Sequence, residues 1–364
     1  MLFNNCNKKV LTGFLFFISL FIISISCDTT EPQPPPDDKI TKWEIIPELA
    51  DMDVRYILKH NNTIYLTAVQ GIEWRGIIWK TTDGENWSIV RKFNKAIGPL
   101  TTNGDTLYCL GDSLFRYIIP LDKWENICQP YPLNTDVQAV SEMIFLDNEL
   151  YALQNRFTPG ATYKIHFDGS IEDLSIYYNY FGGAKFIKKN INDDWCYVRG
   201  MYYSGGFFLF NRFTFTKLKD GLSHESWLYP PSNSMEIKND TLFAGFRYPG
   251  TIKYLDNNSI WRDYTDSIPC NRDSVFLYRI EPTEITFINE TMFISTDELG
   301  VMKWKNGEGW SDLSEGLKTY NVANAKLFYP IVFLENINEN LIAAYGAPGY
   351  AAWGGVGVYR LKLN

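Results

Sequence analysis

Asn289-Glu-Thr-Met-Phe-Ile-Ser-Thr-Asp-Glu-Leu-Gly-Val-Met-Lys-Trp-Lys-Asn-Gly-Glu-Gly-Trp310 holds a complete local pattern in 22 residues. Asn289-Glu290 is a turn signal, and Thr291-Met-Phe-Ile is a short apolar strand. Gly300 opens a second strand, in which the large apolar Met302 is followed by a base, Lys303. A Gly-rich turn then delivers Trp310 at the head of a third strand.

The first element recurs along the chain at Thr63-Ile-Tyr-Leu, Thr106-Leu-Tyr-Cys, Glu149-Leu-Tyr-Ala, Asp194-Trp-Cys-Tyr, Thr241-Leu-Phe-Ala and Asn340-Leu-Ile-Ala. With the copy at Thr291, successive starts lie 43, 43, 45, 47, 50 and 49 residues apart. The second element recurs as Trp79-Lys80, Phe115-Arg116, Tyr163-Lys164, Ile252-Lys253 and Tyr359-Arg360, and Trp87, Trp124 and Trp261 head the last strand of their repeats. Four strands in a period of this length are the signature of a β-propeller blade. The seventh repeat ends at Asn364 after its third strand, and the missing fourth strand stands at the other end, as Trp43-Glu-Ile-Ile. The expected fold is all-β: a single seven-bladed β-propeller over residues 40–364, its ring closed by the amino-terminal strand. Closure would remove exposed sheet edges.

Thr81-Thr82-Asp83-Gly84-Glu85-Asn86-Trp87 resembles the Asp-box of BNR-repeat, sialidase-like propellers, one residue shorter than the common form. Trp43, Trp124, Trp261 and Trp310 follow looser versions of that turn. The resemblance implies that Asp83 caps the turn, that Gly84 allows it and that Trp87 packs between blades, all as scaffold. It implies no activity.

Residues 1–26 read as a secretory signal: Lys8 and Lys9 precede the apolar run Val10–Ser26. At 17 residues this run also reaches the lower edge of membrane-spanning length. Ser24-Ile25-Ser26-Cys27 resembles the lipobox of bacterial lipoproteins, with Ser24 where Leu is usual. That resemblance implies acylation of Cys27. Residues 27–39 then form an acidic, Pro-rich linker (Asp28–Asp38 is DTTEPQPPPDD) that stays extended. The reading is of an exported chain, held by lipid at the outer membrane and facing the periplasm or the exterior.

Removing the signal leaves 42 acids against 32 bases, a formal charge of −10. That argues against nucleic acid as a partner, and against membrane contact beyond the lipid anchor. His60, His166 and His224 lie in separate repeats without ligand spacing, and Gly346–Gly357 matches no phosphate-binding pattern. No metal or cofactor is expected, and the chain is read as a monomer. Cys109 and Cys128 should be separated by a strand, about 9–10 Å apart, beyond disulfide reach. Buried thiols are favoured, with a Cys196–Cys270 bridge left open.

The loops between second and third strands supply the candidate ligand site: Trp74, Arg75, Arg156, Arg199, Tyr202, Arg247, Tyr248 and Trp353. Four arginines fall at one point of four repeats, each beside an aromatic. Guanidinium groups hold carboxylate or sulfate, and aromatic faces stack on sugar rings. The simpler reading pairs each Arg with a neighbouring acid. Asp297-Glu298 is half of the carboxylate pair that a glycosidase needs, and the Arg-Ile-Pro type motif of sialidases is absent. No catalytic residue is identified. The leading expectation is a binding module for a glycan or an envelope protein. The alternatives are a sialidase-like hydrolase or lyase acting on acidic glycans, and a structural scaffold of an envelope complex.

Overall fold

The computed structural model describes residues 42–70, 75–128, 140–154, 161–174, 183–187, 196–200, 206–210, 215–222, 234–246, 250–269, 282–296, 299–322, 325–345 and 357–363. Among them the chain forms seven four-stranded antiparallel sheets and no α-helix. The sheets are successive blades: residues 53–92, 100–128, 140–173, 183–218, 235–263, 282–312 and, for the seventh, 331–362 with 44–45. Six of them read in simple meander order. The innermost strand of each blade touches that of the next, and the seventh touches Asp53–His60 of the first. The fold is a closed seven-bladed β-propeller.

The strand pairs follow the repeats read from the sequence. Asn61, Asn148, Asp240, Asn289 and Asn338 all take positive φ at the turn between first and second strands. Asn and Asp tolerate that conformation, because their short side chains bond locally. The innermost strands of blades one, three, four, six and seven each slip register by one residue near their start. Such a bulge bends the strand and increases its twist. One element was not foreseen: a hairpin of Thr319–Val322 and Ala325–Phe328 between blades six and seven.

The last blade closes as expected. Glu44–Ile45 pairs antiparallel with Val358–Lys362, with Glu44 opposite Arg360 and Ile45 opposite Tyr359. Just before it, Trp43 is buried and donates its indole N–H to the Leu313 carbonyl, while its backbone N–H bonds Glu315 at 2.9 Å. Trp261 repeats this in blade five, with indole N–H to Leu218 at 3.1 Å and backbone N–H to Asp220 at 2.9 Å. Both seats depend on a glycine one residue on. Gly316 and Gly221 take φ of +93° and +82°, and a Cβ would sit 2.4 and 2.3 Å from the carbonyls of Trp43 and Trp261. The sequence states the motif twice, as Leu313-Ser-Glu-Gly-Leu317 and Leu218-Lys-Asp-Gly-Leu222.

Cys109 and Cys128 are free, with the strand Leu114–Ile118 between them. Cys109 is fully buried, and desolvation pushes its thiol pKa up to about 12 against the opposing field of Arg91. Cys128 is half-buried, and Cys270 lies outside the described residues.

Replacing Trp43 by Ala removes a side chain only 2% exposed at the closing strand. Truncations of this kind cost about 3–5 kcal/mol. The urea midpoint should fall accordingly; an unchanged midpoint would mean that the amino-terminal strand does not hold the ring.

Candidate functional site

Antiparallel order divides the connections between two rims. Turns from first to second and from third to fourth strands lie on one rim, while second-to-third turns and blade-to-blade connections lie on the other. Arg75 opens the third strand of blade one, Arg75–Thr81, opposite Gln70, and is exposed. Arg199 lies near the end of the second strand of blade four, Cys196–Gly200, between Lys185 and Phe207. Both positions therefore belong to the second rim. Trp74, Arg156, Tyr202, Arg247, Tyr248 and Trp353 lie outside the described residues, as do Cys27, the pair Asp297-Glu298, and all of Gly346–Gly357 except its last residue.

The first rim carries the Thr81–Trp87 turn. Asp83 is its acceptor. Its carboxylate takes the Asn86 side-chain amide at 2.7 Å, the backbone N–H groups of Glu85 and Asn86 at 2.8 Å each, and the Thr81 hydroxyl at 3.0 Å. These bonds, the Asn86 side chain foremost, hold its pKa well below the usual carboxylate range. Gly84 has φ +78°, and Trp87 is buried in an apolar cluster shared by blades one and seven. The turn also receives blade seven: Asn340 donates to the Asp83 carbonyl at 2.7 Å and Asn338 to the Thr82 carbonyl at 3.2 Å.

On the same rim, blades one, five, six and seven surround a cleft of about 590 Å³. Lys59, Asn61, Lys238, Asn239, Asn289 and Asn336 are among its lining residues. Its cations are already engaged. Lys59 donates to Asn336 at 2.6 Å, and Lys238 pairs with Glu290 at 2.9 Å and lies 4.9 Å from the Phe287 ring centroid. Sequence reading took the turn at Asn289-Glu290 for punctuation alone. Its recurrence as Asn61 and Asn239 at the same point of other repeats was the signal that these side chains share one opening.

A second concavity, on the other rim, was missed. It lies where the connection after the last strand of blade one meets the second-to-third turn of blade two, with a volume of about 180 Å³. Arg91, Phe93, Lys95, Asp112 and Phe115 line it. Among the described residues no group of three or more metal-ligating side chains occurs.

No family model matches the chain, and no curated protein matches its sequence. Solved structures do match its fold. A virginiamycin B lyase from Staphylococcus aureus, solved in catalytically inactive form with quinupristin, is 10% identical with a TM-score of 0.59, over 89% of this chain and 99% of that one. YCF48 bound to D1 peptide is 11% identical with a TM-score of 0.55, over 91% and 97%. Sqt1 from Saccharomyces cerevisiae is 12% identical with a TM-score of 0.50, over 89% and 99%. At these identities the likeness is one of fold alone.

Asp83 also gives a pH signature. Its folded pKa is lowered, so its contribution to stability is complete above the unfolded value of about 3.9 and fades as pH falls below it. Asp83→Ala should therefore be less stable than the parent at pH 7, with the gap narrowing below about pH 4. Denaturant titrations at both pH values read this directly, and a gap independent of pH would refute it.

Proposed function

We propose that the chain is a binding module of the bacterial cell envelope, tethered by lipid on Cys27 at the outer membrane, that presents its Arg-bearing rim to a glycan or an envelope protein. In this reading the Thr81–Trp87 turn is an Asp-box, and Asp83, Gly84 and Trp87 serve the scaffold. One observation carries the proposal: strand order sets Arg75 and Arg199 on the same rim, away from the point where the tether enters. The chain arrives at Lys42-Trp43, the start of an outermost strand, which is on the opposite rim.

In the sequence Arg156 and Arg247 follow the second strands of blades three and five by two residues and one, and in this reading they serve the same face as Arg75 and Arg199. The first-rim cleft is a weaker candidate, because its lysines are spent on Asn336 and Glu290. The peptide complex of YCF48 supports a protein as one class of partner.

The test is binding of the lipidated chain, in detergent, to neutral, uronic-acid, sialylated and sulfated glycans and to solubilised envelope proteins. An Arg156→Ala/Arg199→Ala/Arg247→Ala variant runs beside it. The expected result is selective binding that the variant weakens at least about tenfold with its unfolding midpoint unchanged. A variant that binds as well as the parent would refute the Arg-bearing rim as the docking face.

A further inference from the structure

The small concavity on the second rim is built around a displaced arginine. In blade one the last strand, Ser88–Lys92, slips against its neighbour: Ile78 faces Arg91 but Trp79 faces Ile89, so Val90 is an extra residue. Side chains on a regular strand alternate between faces. Here Val90 and Arg91, although adjacent, both turn toward blade two. Val90 packs against the cluster of Ile97, Leu107 and Tyr117, while Arg91 lies over rings of the same blade. Re-aiming a side chain is what bulges do.

The Arg91 guanidinium sits 4.8 Å from the Phe93 ring centroid and 4.9 Å from those of Phe115 and Trp124. The rings also brace one another, Phe93 lying edge-on to Phe115 at 5.2 Å and to Trp124 at 6.0 Å. The backbone fixes the rest: Phe93 donates to the Gly76 carbonyl at 2.8 Å, and Gly76 to that of Lys95 at 2.9 Å. Aromatic faces hold a cation but accept none of its five N–H groups in the plane of the fork. Among the described residues Arg91 has no ion pair and no hydrogen bond; by contrast, Arg116 in the next blade is locked to Glu125 at 2.6 Å. Lys92 and Lys95 stand beside it, against a single acid, Asp112.

We propose that this cleft binds the carboxylate of an acidic saccharide, a uronic acid unit, on the Arg91 guanidinium. This rests on the reading of the chain as a binding module and names the ligand class for the same rim. A caged guanidinium is oriented in advance, so less freedom is lost when a planar carboxylate docks on it. Lys92 and Lys95 add attraction at the lip. Asp112 discriminates between sources of the carboxylate. It lies 3.7 Å from Lys95 with both side chains well exposed, too far for a good hydrogen bond. It can therefore accept from a ligand hydroxyl, which a uronic acid offers and an acidic amino-acid side chain does not. Arg75 opens the neighbouring strand, beside Gly76, where further sugar units would continue along the rim.

The experiment is calorimetric titration of the lipidated chain in detergent with trigalacturonate, with maltotriose as neutral counterpart and hexaglutamate as acidic peptide. Trigalacturonate should bind and maltotriose should not. Arg91→Gln should weaken binding at least about tenfold, and Arg91→Lys, which keeps the charge but not the fork, should fall between. Because Arg91 variants disturb the ring cage, Lys92→Gln/Lys95→Gln is the second test. It leaves the cage intact and should weaken binding several-fold and flatten its salt dependence. Wild-type affinity in Arg91→Gln overturns the proposal, as does binding of hexaglutamate in place of trigalacturonate, or no binding of trigalacturonate. If binding to another glycan or an envelope protein persists in any of those cases, and still depends on Arg156, Arg199 and Arg247, the binding-module reading stands without this cleft.

Discussion

Everything in this ring depends on a strand two residues long. Among the described residues Glu44–Ile45 is the one strand of blade seven that comes from the amino end, and its ladder spans two residue pairs. A net backbone bond is worth about 1 kcal/mol, so the ladder alone cannot hold a ring of this size. The stabilisation comes from what the strand brings with it. Trp43 fills the interface with blade six beside Phe293, Val301 and Leu317, and both its N–H groups are satisfied there. On the other side of blade seven, Ile337, Ile342 and Val358 pack with Ile57 and Trp87 of blade one. Blade seven is thus clamped between two apolar seams, and the short strand positions the tryptophan that completes one of them. The asparagine contacts to the Thr81–Trp87 turn, with Glu85 3.7 and 3.5 Å from Arg360 and Lys362, fix the register of the other.

The same position is used differently around the ring. Trp43 and Trp261 anchor through their indole N–H to the preceding blade, and Trp310 does so at 3.2 Å to Asp266. Trp87 and Trp124 have buried indole nitrogens without a partner among the described residues. An unpaired buried N–H costs about 1–3 kcal/mol, so something else must hold these rings. For Trp124 it is aromatic: Tyr117 stacks on it at 4.8 Å, fixed in turn by Asp122 at 2.7 Å, and Arg91 covers it from blade one. The ring freed from hydrogen bonding to the previous blade becomes one of the three faces against which the Arg91 guanidinium lies. Trp124 is thus both scaffold and part of the cage that holds Arg91.

That overlap explains what was legible in the sequence. Strand signals such as Thr291-Met-Phe-Ile and turns such as Asn289-Glu290 are local, and seven copies averaged away their individual ambiguity. The closing strand was legible because Trp43 stands where Trp87 and Trp261 stand. The Arg91 cleft was not, for two physical reasons. Regular alternation would turn Arg91 away from Val90, and only the register slip places both on one side. Its aromatic partners Phe115 and Trp124 lie 24 and 33 residues on, in another blade, and no spacing rule links them. The Leu-x-x-Gly-Leu motif was legible in principle, since it occurs twice, but its meaning depends on a distant tryptophan: Trp261, 40 residues after Gly221, and Trp43, 273 residues before Gly316.

A chain with a formal charge of −8 is an unfavourable carrier for a polyanion site, and that opposition is informative. Long-range repulsion acts over about a Debye length, roughly 8 Å at physiological salt, and it disfavours indiscriminate adsorption of acidic polymers on the surface. A cation within the cleft acts at contact distance, where the aromatic wall lowers the local dielectric and strengthens it. Affinity at the Arg91 cleft would then come mainly from one docked carboxylate and the hydroxyls beside it, with Lys92 and Lys95 adding a smaller, salt-dependent share and the net charge of the chain contributing little. This is the arrangement expected of a site that distinguishes one acidic unit from many other acidic groups.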